Sequence, residues 1–274
     1  MENIKTWQPW ATPLLRWAGS KKKLLPALVN FAPRAFDRYI EPFAGSACLF
    51  FALKPERAIL GDINVELLNT YEVIRSHPRL VARAVKSYRN SARQYYALRS
   101  SSPNTLSPTD RAARFVYLNR YCFNGVYRTN QKGEFNVPRG TRTGSIPEEA
   151  AFYRCSFALR GATLRAVDFD VCLEDVRQGD FVYLDPPYAT SDQRRSGEYG
   201  YNSFSSDDIE RLINCLKKID SKKATFLLSY IDTPELLRLL PSTWSLNRIN
   251  VKRHVAGFAE YRASVTEVLV SNKH

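Results

Sequence analysis

Tyr39-Ile40-Glu41-Pro42-Phe43-Ala44-Gly45-Ser46, followed by Ala58-Ile59-Leu60-Gly61-Asp62 and Asn64, is the stretch whose reading decides the fold. Tyr39-Ile40 reads as a short buried strand. Pro42 and Gly45 break that pattern before a helix that begins near Ser46. Ala58 to Gly61 reads as a second strand, ending at Asp62. Asn64 carries the side chain of a helix N-cap, and Leu67, Leu68, Tyr71 and Ile74 share one face of the helix after it. Strand, turn, helix, strand, acid is the opening of a doubly wound α/β fold, which binds its ligands at the carboxyl ends of the strands.

Reading outward, Phe181 to Leu184 is a further strand, and it runs into Asp185-Pro186-Pro187-Tyr188. Ala189 to Tyr201 is polar and Gly-containing, as expected of a mobile loop. Ile209, Leu212, Ile213, Leu216 and Ile219 line one face of a helix from Ser205 to Ile219. Ala224–Ser229 and Ser264–Ser271 read as strands. Between the two α/β parts the pattern changes. From His77 come helical stretches rich in Arg and Tyr, a loop over Ser100–Pro108, and a helix from Thr109 to about Tyr121. Asn124 to Pro138 then alternates around Lys132-Gly133, which predicts a β-hairpin. The expected organisation is a doubly wound, Rossmann-like sheet built from residues 1–76 and 145–274. A mainly helical unit carrying the hairpin, residues 77–144, is inserted into it.

Composition narrows the class. The 274 residues are 44% hydrophobic, which suits a folded core. No run reaches the roughly 18 apolar residues of a membrane span. Met1-Glu2-Asn3-Ile4 lacks the basic and apolar regions of a signal peptide, so a cytoplasmic protein is expected. Cys48, Cys122, Cys155, Cys172 and Cys215 form no CxxC pair, and His77, His254 and His274 stand apart, so no metal is expected and zinc chemistry is excluded. The formal charge is +13, and it is unevenly placed. Between His77 and Gly144, Lys and Arg number thirteen against only Asp110 and Glu134, which concentrates nearly all of the excess in about a quarter of the chain. A phosphate backbone is the natural partner of such a segment.

Asp185-Pro186-Pro187-Tyr188 is the most specific motif. Two prolines restrict the backbone and fix an acid and an aromatic ring at a strand's carboxyl end. Such a pair suits adenine, whose amino nitrogen shares its lone pair with the ring. A carboxylate and a backbone carbonyl accepting its two hydrogens return that pair to nitrogen, while the ring of Tyr188 stacks on a base taken out of the helix. Methyl transfer then needs in-line placement and no covalent intermediate. Gly45 permits close backbone approach to a nucleotide-like cofactor, and Asp62 is placed to accept from ribose hydroxyls. A plain strand–helix turn remains the alternative there. In Arg16-Trp17-Ala18-Gly19-Ser20-Lys21, Trp17 either anchors the surface or walls a cofactor pocket, and Lys21 is a candidate partner for the cofactor's carboxylate.

These motifs together resemble Dam-type DNA adenine methyltransferases, the group in which the cofactor motif precedes the recognition region and then DPPY. The matching stretches are RWAGSK at Arg16–Lys21, EPFAGSA at Glu41–Ala47, GDIN at Gly61–Asn64, LNRYCFNGVYRTN at Leu118–Asn130, EFNVPRG at Glu134–Gly140 and DPPY at Asp185–Tyr188. They occur in family order over nearly the whole chain. The resemblance implies that Trp17, Lys21, Phe43, Gly45, Asp62, Phe169 and Asp185 hold or border S-adenosylmethionine. It implies that Asp185, Pro186, Pro187 and Tyr188 form the catalytic motif around the target adenine. DNA contacts are implied at Arg16, Phe123, Asn124, Val126, Arg128, Pro138 and Arg139, with Arg128 reading a guanine through O6 and N7. The implied target is GATC in double-stranded DNA. The implied protein is a monomer, bacterial or phage-encoded, with a cognate restriction endonuclease as a candidate partner. The chain departs from the family at Ala47, where a further Gly is common, at Val126, often Leu, and at Arg16, usually Lys.

Other classes fit less well. Protein-amide methyltransferases of related type carry Asn where Asp185 stands. Cytosine-carbon methylation needs a nucleophilic Cys, typically after Pro, and no Pro-Cys pair occurs. The same chemistry on another DNA site, on a cytosine amino group or on RNA remains open. A non-catalytic DNA-binding protein would explain the basic segment but not the DPPY motif.

Overall fold

The computed structural model describes residues 9–141, 143–189, 204–252 and 264–272. The expected Ala189–Tyr201 loop lies, beyond Ala189, outside the described residues, as does Met1–Ile4.

The core is a seven-stranded sheet in the order β3-β2-β1-β4-β5-β7-β6. Its strands are β1 (Arg38–Glu41), β2 (Ala58–Gly61), β3 (Ala162–Arg165), β4 (Asp180–Leu184), β5 (Thr225–Ile231), β6 (Ser245–Lys252) and β7 (Ser264–Ser271). The first five run parallel, whereas β7 lies antiparallel between β5 and β6. The chain leaves β1 for β2 on one side and later returns to place β4 on the other. That reversal opens a crevice beyond the carboxyl ends of β1 and β4, the position at which doubly wound sheets bind ligands.

Alternation along the strands sorts the two faces. Tyr39, Phe181, Tyr183, Leu227 and Leu269 join one buried cluster, and Ile40, Val182, Phe226, Leu228 and Val268 join the other. The second face is covered by α8 (Phe169–Leu173) and α9 (Ser206–Ser221). Helix α9 starts as a capping box: Ser205 accepts from the Asp208 amide while the Asp208 carboxylate accepts from Ser205. Covering the first face are α1 (Leu25–Phe31), α2 (Cys48–Leu53) and α3 (Val65–Ser76), the last capped by Asn64 through Leu67 N at 3.0 Å. Each large side chain buried in these layers contributes on the order of 1.5–3 kcal/mol. At the base of the crevice strands, Arg38 clasps Asp180 through two bonds of 3.1 and 2.7 Å, joining β1 to β4.

The segment between β2 and β3 is helical, as expected. After α3 it comprises α4 (Pro78–Ser87), α5 (Ala92–Ser100) and α6 (Pro108–Tyr121), within the expected 77–144, and then α7 (Glu149–Leu159) beyond it. Tyr95, Phe115 and Tyr117 belong to the same buried cluster as Phe51, Tyr71 and Tyr39, so this segment is packed onto the sheet's helices and not merely tethered to them. Several of its arginines serve that packing. Buried Arg114 donates to the Leu98 and Arg99 carbonyls, Arg120 to Leu14 O, and Arg111 clasps Glu66. The concentration of positive charge read from the sequence is therefore partly internal. The hairpin forms around Asn130–Glu134, with Asn130 N bonded to Glu134 O at 2.9 Å and Asn136 N to Arg128 O at 3.1 Å. It is held by isolated bridges, Thr129 to Phe135 and Cys122 to Arg139, in place of a full ladder.

Two strands escaped the sequence reading, β3 and β6, and both are at sheet edges. Short or polar edge strands lack the continuous apolar run that marks a buried one. The five cysteines are free and buried. Among the described residues no helix is long and apolar enough to cross a membrane.

Candidate active site

The turn after β1 builds one wall of the crevice. Ala44 N bonds Gly61 O at 2.8 Å, tying the turn to the end of β2. Gly45 takes φ +47°, and its amide donates to Asp62 Oδ2 at 2.9 Å, while Asn64 N donates to Asp62 Oδ1 at 2.9 Å. Tyr71 Oη steadies the turn from behind through Gly45 O at 2.9 Å. A methyl built on Gly45 would lie 2.7 Å from Trp17 Cδ1, so the indole lies directly against the turn. Ala47 also adopts a left-handed conformation, φ +50°. Burial pushes the Asp62 carboxyl up to about 6, against the two amides that stabilise its charge.

A cleft of about 570 Å³ opens over this turn. Trp17, Lys21, Phe43, Gly45, Asp62, Phe169 and Asp185 through Tyr188 all line it, so every expected cofactor and catalytic position meets in one place. The Phe43 and Phe169 rings stand 5.2 Å apart, and Phe204 closes on both at 6.1 Å. Arg211 lies over Phe169 at 4.7 Å while pairing with Asp168, Asp170 and Asp208. Trp17 stacks on Tyr127 at 6.2 Å, which brings the hairpin's base to the cleft rim.

At the end of β4, Asp185 Oδ1 accepts from Lys21 Nζ at 2.6 Å and from Ser229 Oγ at 2.9 Å. Both protein bonds fall on the same oxygen, and Asp185 keeps 19% of its side-chain surface exposed, which leaves Oδ2 for the cleft. Lys21 is almost fully buried. Burial pulls its ammonium down, but Asp185, Tyr188 and Glu267 together hold it above the ordinary lysine value, so it stays charged. Burial raises Asp185 above the usual carboxylate range, opposed by Lys21. Glu41, also lining the cleft, accepts from Tyr39 Oη at 3.0 Å, and burial pushes its carboxyl well above the ordinary value. Among the described residues no group of three or more His, Cys, Asp or Glu is arranged to hold a metal ion.

The sequence profile of the D12 class of N6 adenine-specific DNA methyltransferases matches residues 17–256. The chain belongs to this family. It is 33% identical over 270 residues to the type II methyltransferase M1.LlaDCHI of Lactococcus lactis subsp. cremoris, covering 95% of each chain. It is 31% identical over 265 residues to the DNA adenine methylase of Haemophilus influenzae, covering 94% of this chain and 92% of that one. The type II methyltransferase M.CviBI of Paramecium bursaria Chlorella virus NC1A is 33% identical over 214 residues, 77% of this chain and 80% of that one.

On this D12-class methyltransferase the expected DNA residues cluster at the hairpin beside the cleft. Phe123 is exposed, and Asn124 takes a left-handed φ of +53° that turns the chain into the hairpin. Arg16 packs against this turn, its amide on Asn119 Oδ1 at 2.8 Å and its guanidinium on Arg120 O at 3.1 Å. Arg128 has Nε fixed by Asn136 Oδ1 at 2.9 Å, which leaves its two terminal nitrogens for other partners. Val126 is half-buried against the core, Pro138 is exposed, and Arg139 bonds Asn90 at 2.8 Å.

Lys21 was expected at a cofactor carboxylate, yet its hydrogen-bond partners here are Gly19 O, Asp185 and Tyr188. Sequence reasoning also missed Ser229, Tyr230, Glu267 and the roles of Asp168 and Arg211. Glu267 had a readable signal: it is the one acid in Ser264–Ser271, beside Val268-Leu269-Val270. An acid in an apolar strand needs a buried partner.

Proposed function

We propose that the protein transfers a methyl group from S-adenosylmethionine to the exocyclic amino group of adenine in double-stranded DNA, within GATC, on a base flipped out of the helix. The observation that carries this reading is Asp185: its Oδ1 takes both Lys21 and Ser229, and Oδ2 is left beside Tyr188 in the cleft.

The residues present suit the methyl donor. Gly45 provides a turn that a side chain would fill, Asp62 a carboxylate for ribose hydroxyls, and Phe43 with Phe169 an aromatic slot for a purine. Trp17 walls the same pocket, and Asp185 and Lys21 border it. When bound, this donor supplies an electrophilic methyl on a sulfonium.

The protein's own work is placement. Asp185 Oδ2 and the Pro186 carbonyl accept the two amino hydrogens of the adenine, which returns lone-pair density to nitrogen. Tyr188 stacks on the base, and Pro186-Pro187 hold the motif rigid. Lys21 and Ser229 fix the carboxylate so that one oxygen faces the base in every turnover. Arg128, with Nε already held, presents its terminal nitrogens to guanine O6 and N7. Val126 meets a thymine methyl, Phe123 and Asn124 lie at the vacated stack, and Arg16, Pro138 and Arg139 add contacts to base or backbone. Residues 77–144 thus act as the recognition unit, and 1–76 with 145–274 as the catalytic one. The protein acts as a monomer in the cytoplasm, with a restriction endonuclease as a candidate partner.

The test is methyl transfer from labelled S-adenosylmethionine to DNA lacking other methylation, read at single-base resolution. Modified adenine in GATC is expected. Modified adenine elsewhere overturns the hairpin assignment, and no transfer to DNA overturns the reaction.

A further inference from the structure

Strand β7 brings an acid to the active site from a part of the chain that no cofactor or DPPY motif reaches. In the antiparallel pairing, Glu267 stands opposite Ile231 and Leu269 opposite Ser229, so Glu267 and Ser229 share the sheet face that ends at Asp185. Glu267 is 1% exposed. Its Oε1 accepts from Tyr188 Oη at 3.3 Å, and its Oε2 lies 3.9 Å from Lys21 Nζ. Lys21 Nζ in turn donates to Tyr188 Oη at 3.3 Å. The polarity of this chain is set, because an ammonium only donates and a carboxylate only accepts. The Tyr188 hydroxyl therefore receives from Lys21 and gives to Glu267. Both contacts are at the long end of the hydrogen-bond range.

The rest of Tyr188 is also held. Tyr230 meets its ring edge-on at 5.4 Å and 81°, and Tyr230 Oη accepts from the amide of the next residue, Ala189, at 2.9 Å. Tyr230 and Ala189 fix where the ring lies. The hydroxyl lies on the axis about which the ring turns, so its hydrogen bonds hold the far end of the ring in place and with it the direction of that axis.

We propose that Glu267 is a positioning residue that holds the far end of the Tyr188 ring, through the tyrosine hydroxyl, so that the ring receives the flipped adenine in the place that brings its amino group to Asp185. This rests on the reading of Asp185–Tyr188 as the adenine site. Glu267 touches neither base nor methyl donor in this assignment. It acts by restricting an aromatic platform, and a small misplacement at a reacting centre lowers rate steeply. The buried carboxylate on β7 thereby has a reason to be there beyond balancing Lys21.

The experiment compares Glu267→Leu, Glu267→Gln and Tyr188→Phe with the unchanged protein. It reads the single-turnover rate of methyl transfer at saturating DNA and S-adenosylmethionine, the affinity for each, and the fluorescence of 2-aminopurine at the target position. Leu removes the acceptor at similar volume, Gln keeps an acceptor oxygen without charge, and Phe removes only the hydroxyl. Expected is a loss of about tenfold or more in the single-turnover rate for Leu and for Phe, with methyl-donor affinity nearly unchanged. Gln recovers most of the rate, and combining Leu with Phe adds nothing further, since both break one link. A smaller 2-aminopurine signal accompanies the slow variants. A wild-type rate in Glu267→Leu, Gln no better than Leu, or multiplying effects of Leu and Phe would each overturn the proposal. Should Glu267→Leu fail to fold, Tyr188→Phe decides: a wild-type rate there also refutes it. If the unchanged protein methylates no adenine, the underlying reading fails instead, so the two failures are separable.

Discussion

Replacing Gly45 by alanine should damage the cofactor pocket more than its one added methyl suggests. At φ +47° an L-residue bears about 1–2 kcal/mol of steric strain. The methyl would also stand 2.7 Å from Trp17 Cδ1 and 2.8 Å from Nε1, too close for any contact, so the indole must turn. Driving it off its rotamer costs a further ~0.5–1.5 kcal/mol. Alanine recovers about 0.4–1 kcal/mol by restricting the unfolded chain. The net loss is about 2 kcal/mol of stability, and a displaced Trp17 should weaken S-adenosylmethionine by roughly tenfold, equivalent to ~1.4 kcal/mol. Ala47→Gly, two residues on and also left-handed, is the control. Its relief of about 1–2 kcal/mol is offset by the lost methyl, ~0.8 kcal/mol, and by added freedom of the unfolded chain, so it should fall within about 1 kcal/mol of wild type. Urea unfolding with an unchanged m-value and calorimetric titration of the cofactor measure both variants. A Gly45→Ala protein with the wild-type midpoint and affinity, or an Ala47→Gly protein that suffers more, would refute the reasoning.

Three further outcomes are expected. Asp185→Ala should lower the methylation rate by at least about a hundredfold while DNA retention in a filter-binding assay partly survives; substantial turnover in that variant removes Asp185 from its assigned role. Arg128→Ala should cost about 1–3 kcal/mol of preference at one guanine, read by methylating sites substituted at each position in competition, and an unchanged preference profile counts against the hairpin. Because the Asp62 pKa is raised to about 6, its carboxylate is complete only above that value, so cofactor affinity should decline as pH falls through it. The decline should vanish in Asp62→Asn, and a flat wild-type affinity from about pH 8 to about pH 5 would contradict it.

The parts legible from sequence were those whose local chemistry has one structural solution. Tyr39-Ile40 and Phe181–Leu184 are buried on both faces and read as strands without ambiguity. Asn64 caps the helix it was placed before, and Ser205, read as the first residue of its helix, is that helix's N-cap. Asp185 and its prolines follow the strand the sequence marks for them and line the cleft at its end. What could not be read depends on partners distant in the chain. Ser229 matters because β5 lies beside β4, and Glu267 because β7 runs antiparallel there. Lys21 is 164 positions from Asp185 in the chain, and only the fold brings the two to 2.6 Å. Arginines such as Arg114 and Arg120 counted toward a nucleic-acid surface, yet Arg114 bonds main-chain carbonyls inside the helical segment and Arg120 bonds the Leu14 carbonyl, because net charge carries no information about direction.

The position of β7 also governs when this enzyme becomes one during synthesis. Strand β6 is made before β7 but among the described residues has only β7 as its neighbour in the sheet, so a nascent chain that has just completed β6 has no described edge on which to place it. Until β7 emerges, β5 is an open edge with unpaired amides and carbonyls, the kind of template on which unwanted pairing starts. When β7 inserts, it closes that edge, gives β6 its partner, and delivers Glu267 to Lys21 and Tyr188 in the same event. The same pairing that closes the β5 edge thus also completes the contacts around Tyr188, and a chain without β7 has no Glu267 there.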